Sequence, residues 1–90
     1  MIGTATLISM VDRLVIDSHA PEPSYRQLAS QLRAMIESGA IGPREPVPSI
    51  TYMVQETGLA VGTVRKAISV LVDAGLVYTV PGRGTFVSPR

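Results

Sequence analysis

Only four residues, Thr57 to Ala60, separate two stretches that carry helical periodicity, and one of the four is Gly58. Upstream, Ile50, Met53 and Val54 make a short apolar stripe; downstream, Val64, Ala67, Ile68 and Leu71 fall at i, i+3, i+4 and i+7. Each set therefore occupies one face of a helix. So short a connection forces the two helices to cross at a steep angle, the geometry of a helix-turn-helix. Pro46 and Pro48 bar a helix before the first stripe, and Ser49 offers its N-cap. Gly58 closes that helix after about two turns, and Gly75 is placed to cap the end of the next.

The flanking segments extend this frame. Tyr25, Leu28, Leu32 and Ile36 recur at helical spacing up to Gly39, which predicts a helix over Ser24 to Ser38. At its start Ser24 and Gln27 have the spacing of a capping box, placed just after Pro23. Beyond Gly75 the pattern changes: Leu76 to Val80 and Thr85 to Val87 are β-branched and aromatic runs on either side of Pro81-Gly82-Arg83-Gly84. This is a hairpin with a basic residue at its tip. Three helices and then a hairpin give a mainly α fold with a small β-hairpin, a winged helix-turn-helix.

Composition narrows the possible functions. Ninety residues, 46% of them hydrophobic, suffice for one modest core and not for a catalytic domain of ordinary size. The four aromatics (Tyr25, Tyr52, Tyr78, Phe86) leave that core to aliphatic side chains and Met. Without cysteine there is no disulfide framework or thiolate metal site, and the single His19 makes no metal cluster or catalytic constellation. No cofactor is expected. Asp12 and Arg13 interrupt the apolar stretch Thr4 to Ile16, so it reads as neither signal peptide nor membrane span, and the expected location is cytoplasmic. Charge is uneven along the chain. Residues 1–59 carry four basic against six acidic groups, a net −2, whereas residues 60–90 carry Arg65, Lys66, Arg83 and Arg90 against Asp73 alone, a net +3. The C-terminal third thus suits an anionic partner.

On the third helix, Gly62, Arg65, Lys66 and Ser69 repeat the i, i+3, i+4, i+7 offsets about 160° away from the apolar stripe. One face packs while the other stays free. A free face with adjacent Arg and Lys near its N-terminal end has the shape and charge to enter a DNA major groove. The plainer alternative is an ordinary solvated face. Gly82-Arg83-Gly84 likewise has two readings: a turn that needs positive φ, or a wing tip whose Arg83 reaches phosphate or the narrow minor groove.

Several spaced motifs together resemble one family. Pro23-Ser-Tyr-Arg-Gln-Leu-Ala29, Val47-Pro-Ser49, Gly58, Thr63-Val-Arg65, Ala74-Gly-Leu76 and Gly82-Arg-Gly-Thr-Phe-Val87 look like the N-terminal domain of GntR-type bacterial regulators. The resemblance implies a winged helix that binds operator DNA as a dimer, usually joined to a C-terminal domain that senses a metabolite. By match, it places DNA contacts at Thr51, along Ala60 to Arg65 (Val61, Gly62 and Thr63 included) and at Gly82. The chain departs from the family's usual pattern at Thr51 and Val61, where arginine is common, and at Ala60, where Ser or Thr is common. Lys66 stands where glutamate is frequent. Base reading should therefore differ from that of typical members, with Arg65 the main candidate for guanine and Val61 suited to a thymine methyl.

These readings predict sequence-specific binding of double-stranded DNA for transcriptional regulation, without catalysis, by a unit sized for one half-site and hence a homodimer. The alternatives are a protein–protein assembly module and an architectural or plasmid-maintenance DNA binder. Residues 21–90 form the expected winged-helix domain and residues 1–20 an N-terminal extension, with no effector-sensing site or domain expected in this chain. Within the extension, Leu7, Val11 and Leu14 approach a heptad suited to dimerisation. Leu14-Val15-Ile16 reads equally as a short strand, and an edge element packing on the wing or a frayed tail is a further alternative.

Overall fold

The computed structural model describes residues 14–89. Helix α1 spans Ser24–Ser38, α2 Ile50–Thr57 and α3 Val61–Asp73; strands β1 (Val77–Val80) and β2 (Gly84–Val87) follow. Order and helix bounds agree with the periodicity of the sequence. The three apolar stripes meet in one core, where Leu28 and Leu32 of α1, Met53 of α2, Val64 and Leu71 of α3 and Val87 of β2 are almost completely buried. Burying each of these aliphatic side chains contributes about 1.5–3 kcal/mol relative to exposure. A domain with so few aromatics depends on them.

Local chemistry sets the ends of the helices. Ser49 caps α2, its side chain accepting from the Tyr52 amide at 3.0 Å. Gly58 ends the same helix at φ +73, and the Thr57 hydroxyl, donating to Met53 O at 2.6 Å, accepts in turn from the Leu59 amide. At the end of α3 the capping residue is Ala74, and Gly75 follows it at φ +76. The Gly75 amide donates to Val72 O and the Leu76 amide to Leu71 O, at 2.9 and 3.0 Å. This double closure satisfies carbonyls that the helix leaves open and turns the chain directly into β1.

The start of α1 corrects the expected capping box. The N-cap is Pro23, and no side chain caps the helix. Pro23 has neither a hydroxyl to accept an amide nor an N–H for Gln27 to reach back to. Gln27 is instead buried and turned onto the preceding loop: its Oε1 accepts from the Asp17 amide, and its Nε2 donates to Asp17 O and Glu22 O, all at 2.8–2.9 Å. One turn on, Gln31 accepts from the Val15 amide and donates to Val15 O. Leu14 enters the core. Residues 14–16 thus form no strand; the Gln31 side chain holds the Val15 N–H and C=O against α1. The other positions of the proposed heptad, Leu7 and Val11, lie outside the described residues, as does Arg90.

The hairpin is antiparallel, with Val77 opposite Val87, Tyr78 opposite Phe86, Thr79 opposite Thr85 and Val80 opposite Gly84. Val77 and Val87 face the core, while the Tyr78 and Phe86 rings stack on the other side with centroids 5.9 Å apart. The free edge of β2 is covered by the segment before α2. Arg44 N donates to Val87 O, Val87 N to Glu45 O and Val47 N to Thr85 O, and Pro46 bridges to Phe86. This third, strand-like segment was not legible from the prolines that bound it. Arg44 sits at φ +65, the one positive φ outside glycine among the described residues.

Candidate nucleic-acid interface

The outer face of α3 follows from its register. With Val64, Ala67, Ile68 and Leu71 buried, Gly62, Arg65, Lys66 and Ser69 are all exposed, and Val61 at the helix start is 45% exposed. Thr63, on the flank of the stripe, is half-buried. Ala60 occupies the N-cap position and offers no capping side chain; its carbonyl accepts from the Thr63 and Val64 amides at 3.0 and 3.1 Å. A side chain at Gly62 would meet no atom within 4 Å. This end of the helix is open to close approach by a large partner.

The wing tip is a turn in which the Arg83 amide donates to Val80 O at 2.9 Å, with Gly82 at φ +77. Proline in the second position and a positive-φ glycine in the third are what a type II turn demands. Gly82 and Arg83 are exposed at this tip. Thr51, exposed in the first turn of α2, lines the same open groove of about 530 Å³ as Gly82 and Arg83. Met53 and Ile68 contribute to the groove lining, and Ser49, Thr79 and Thr85 add hydroxyl groups. The structure therefore gathers Thr51, Gly82 and Arg83 around one groove, while Arg65 and Ser69 belong to the outer face of α3 beside it. The two threonines were missed in the sequence. Their signal was their symmetric placement about the turn, which pairs them across the hairpin with their hydroxyls 3.4 Å apart.

Lys66 differs from its neighbours on the stripe. Its ammonium lies over the Tyr25 ring of α1, 4.2 Å from the centroid. The Arg26 guanidinium carbon is 5.7 Å from the same centroid, and Arg26 Nε donates to the Tyr25 hydroxyl at 3.2 Å. Among the described residues the one ion pair is Arg33 with Glu37 on α1. Arg65, Lys66, Arg83 and Arg26 thus have no carboxylate partner there, and their charge is presented to the surroundings. No helix among the described residues is long and apolar enough to cross a membrane.

The family model described as bacterial regulatory proteins, gntR family, matches residues 24–87. The chain belongs to the GntR family. It is 42% identical over 73 residues to the HTH-type transcriptional repressor NagR of Bacillus subtilis (strain 168), a match covering 81% of this chain and 30% of that protein. Against the mannosyl-D-glycerate transport/metabolism system repressor MngR of Escherichia coli (strain K12) it is 33% identical, covering 73% and 28%. The chain spans less than a third of the length of these curated relatives. Among solved structures, AraR(DBD) in complex with operator ORX1 superposes with a TM-score of 0.77 at 35% identity, covering 82% of this chain and 94% of that one. YtrA from Sulfolobus acidocaldarius, a GntR-family transcription factor, gives a TM-score of 0.78 at 32% identity, covering 86% and 81%. The GntR-type fold of this chain is a winged helix, as its order of elements predicts.

Proposed function

We propose that this GntR-family chain binds double-stranded DNA in a sequence-directed manner and serves as the DNA-binding unit of a transcriptional regulator, without catalysis. The observation that carries the reading is the set of basic side chains on the α3 face and the wing tip, Arg65, Lys66 and Arg83, with no carboxylate partner among the described residues. Its support from relatives is that AraR(DBD), of similar fold, was crystallised with an operator. In this reading the N-terminal half of α3 enters the major groove. Arg65 reads a guanine through its O6 and N7, Val61 meets a thymine methyl, and Gly62, Thr63 and Ser69 line the approach. Thr51 and Gly82 stand beside the backbone, and Arg83 reaches phosphate or minor groove.

One such unit covers a half-site, so the binding species is a homodimer acting in the cytoplasm. Residues 21–90 are the DNA-binding domain, and residues 1–20 are an extension whose apolar segment supplies the dimer contact. Selection of bound sequences from a random duplex pool tests the function directly: a recurring motif, with affinity falling steeply as salt rises, is the expected result. Enrichment of no motif removes sequence direction. Salt-insensitive or absent binding removes the DNA reading altogether. Sedimentation of the full chain and of a chain lacking residues 1–12 tests the dimer, which a monomer at high micromolar concentration would exclude.

A further inference from the structure

The ring of Tyr25 carries two cations that come from different helices. Lys66 reaches it from α3 and Arg26 from its own helix α1, at 4.2 and 5.7 Å from the ring centroid, so the two charges lie within about 10 Å of each other. Arg26 is tied further by its bond to the Tyr25 hydroxyl. Both side chains are exposed, and neither finds a carboxylate within ion-pair distance among the described residues. Like charges gathered this closely repel, and the face of an aromatic ring offsets only part of that. An anion from outside would relieve that repulsion.

Helix register places the pair relative to the reading face. On α3, Lys66 lies about 100° around the helix from Arg65, on the side toward α1, whereas Arg65 lies on the side of Val61 and Ile68. The Lys66 ammonium is drawn further to that side by its contact with Tyr25. Lys66 and Arg65 cannot then serve the same base pair. An anion near the Tyr25 ring lies at the flank of whatever Arg65 reads.

We propose that Tyr25 is a positioning residue that holds Lys66 and Arg26 as a clamp for one backbone phosphate flanking the bases read by α3, bringing α1 into the DNA footprint. This rests on the DNA-binding reading above. Lys66 is accordingly a sequence-independent contact and not part of the base code, despite lying on the polar stripe of α3. The ring's role is to keep a flexible lysine stem from wandering, so that its charge is already in place when the duplex arrives.

The test uses the full chain and two probes, the duplex selected from the random pool and a random-sequence duplex. Lys66→Met and Arg26→Met each lower the slope of log affinity against log salt by about one unit on both probes. Preference among single-base variants of the selected site stays as in the wild type. Tyr25→Leu lowers affinity on both probes, and in its background Lys66→Met costs clearly less than in the wild type. Tyr25→Phe, which keeps the ring, restores the full cost of Lys66→Met. Thermal melting checks that Tyr25→Leu is folded; Lys66→Met changes an exposed residue and reads the clamp even if Tyr25→Leu is not. An unchanged salt slope in Lys66→Met, an altered base preference in that variant, or equal costs of Lys66→Met with and without the ring each overturns the proposal. Failure of the DNA reading looks different, because the wild-type chain itself then shows no salt-dependent binding to either probe.

Discussion

Replacing Gln27 by Met tests whether the loop before α1 is held by that single side chain. Gln27 is 9% exposed and makes three hydrogen bonds, one accepted from the Asp17 amide and two donated to Asp17 O and Glu22 O. Methionine has similar volume and length, so Gln27→Met removes the bonds and little of the packing. At about 0.5–1.5 kcal/mol net per bond, the loss for three bonds is about 1.5–4.5 kcal/mol. Asp17 and Glu22 are exposed, so water can reach the released groups and the cost falls toward the low end, about 2 kcal/mol. For a domain of this size that lowers Tm by about 8–16 °C. The matching change at Gln31, Gln31→Met, removes two bonds to Val15 at a more exposed site and should cost less than about 1 kcal/mol. Thermal and urea unfolding of the three proteins, followed by circular dichroism, give the comparison. A Gln27→Met protein melting within about 3 °C of wild type, or one no less stable than Gln31→Met, refutes the reasoning.

Four further outcomes are expected. Arg65→Ala loses about 1–3 kcal/mol on the selected duplex and relaxes the choice at one base pair, as measured against a panel of single-base variants. Arg83→Ala leaves the melting temperature unchanged, lowers affinity evenly across sequences and reduces the salt slope by about one unit. Gly82→Ala, although a side chain there meets no atom within 4 Å, forces a Cβ into φ +77 and costs about 1–2 kcal/mol in urea unfolding. Ser49→Ala removes the cap on the Tyr52 amide and costs about 1 kcal/mol by the same measurement.

What was legible in the sequence was whatever a local pattern enforces. Val64, Ala67, Ile68 and Leu71 are all buried as their spacing requires, Ser49 caps α2, and the hairpin turns at Pro81 to Arg83. Features that needed a partner distant in the chain were not legible. Gln27 had the right offset for a capping box, but the carbonyls that claim its amide belong to a loop up to ten residues earlier. Pro46 spoke against regular structure, yet the Glu45 carbonyl and the Val47 amide on either side of it pair with β2, some forty residues on. The same division runs through the candidate interface. Exposure of Arg65 and Ser69 followed from helix register, whereas the grouping of Thr51 with the wing tip and the seating of Lys66 on Tyr25 depend on how separate elements pack.

The two glutamines of α1 hold only backbone. Residues four apart on a helix are separated by about 6 Å along its axis. Alternate residues of an extended segment are separated by about 6.6 Å. The near-match lets Gln31 take Val15 and Gln27 take Asp17, in opposite chain directions, using main-chain N–H and C=O groups alone. Such a fastening places no demand on what side chains the fastened residues carry. Over evolutionary time position 15 is thus free to drift through most of the amino-acid alphabet, proline excepted, while the course of the chain past α1 stays the same; at position 17 the carboxylate has a further task, accepting from the His19 amide at 2.9 Å. For the protein engineer the pair is a portable clip: a glutamine at i and i+4 of a helix, offered to an extended tail of varied sequence.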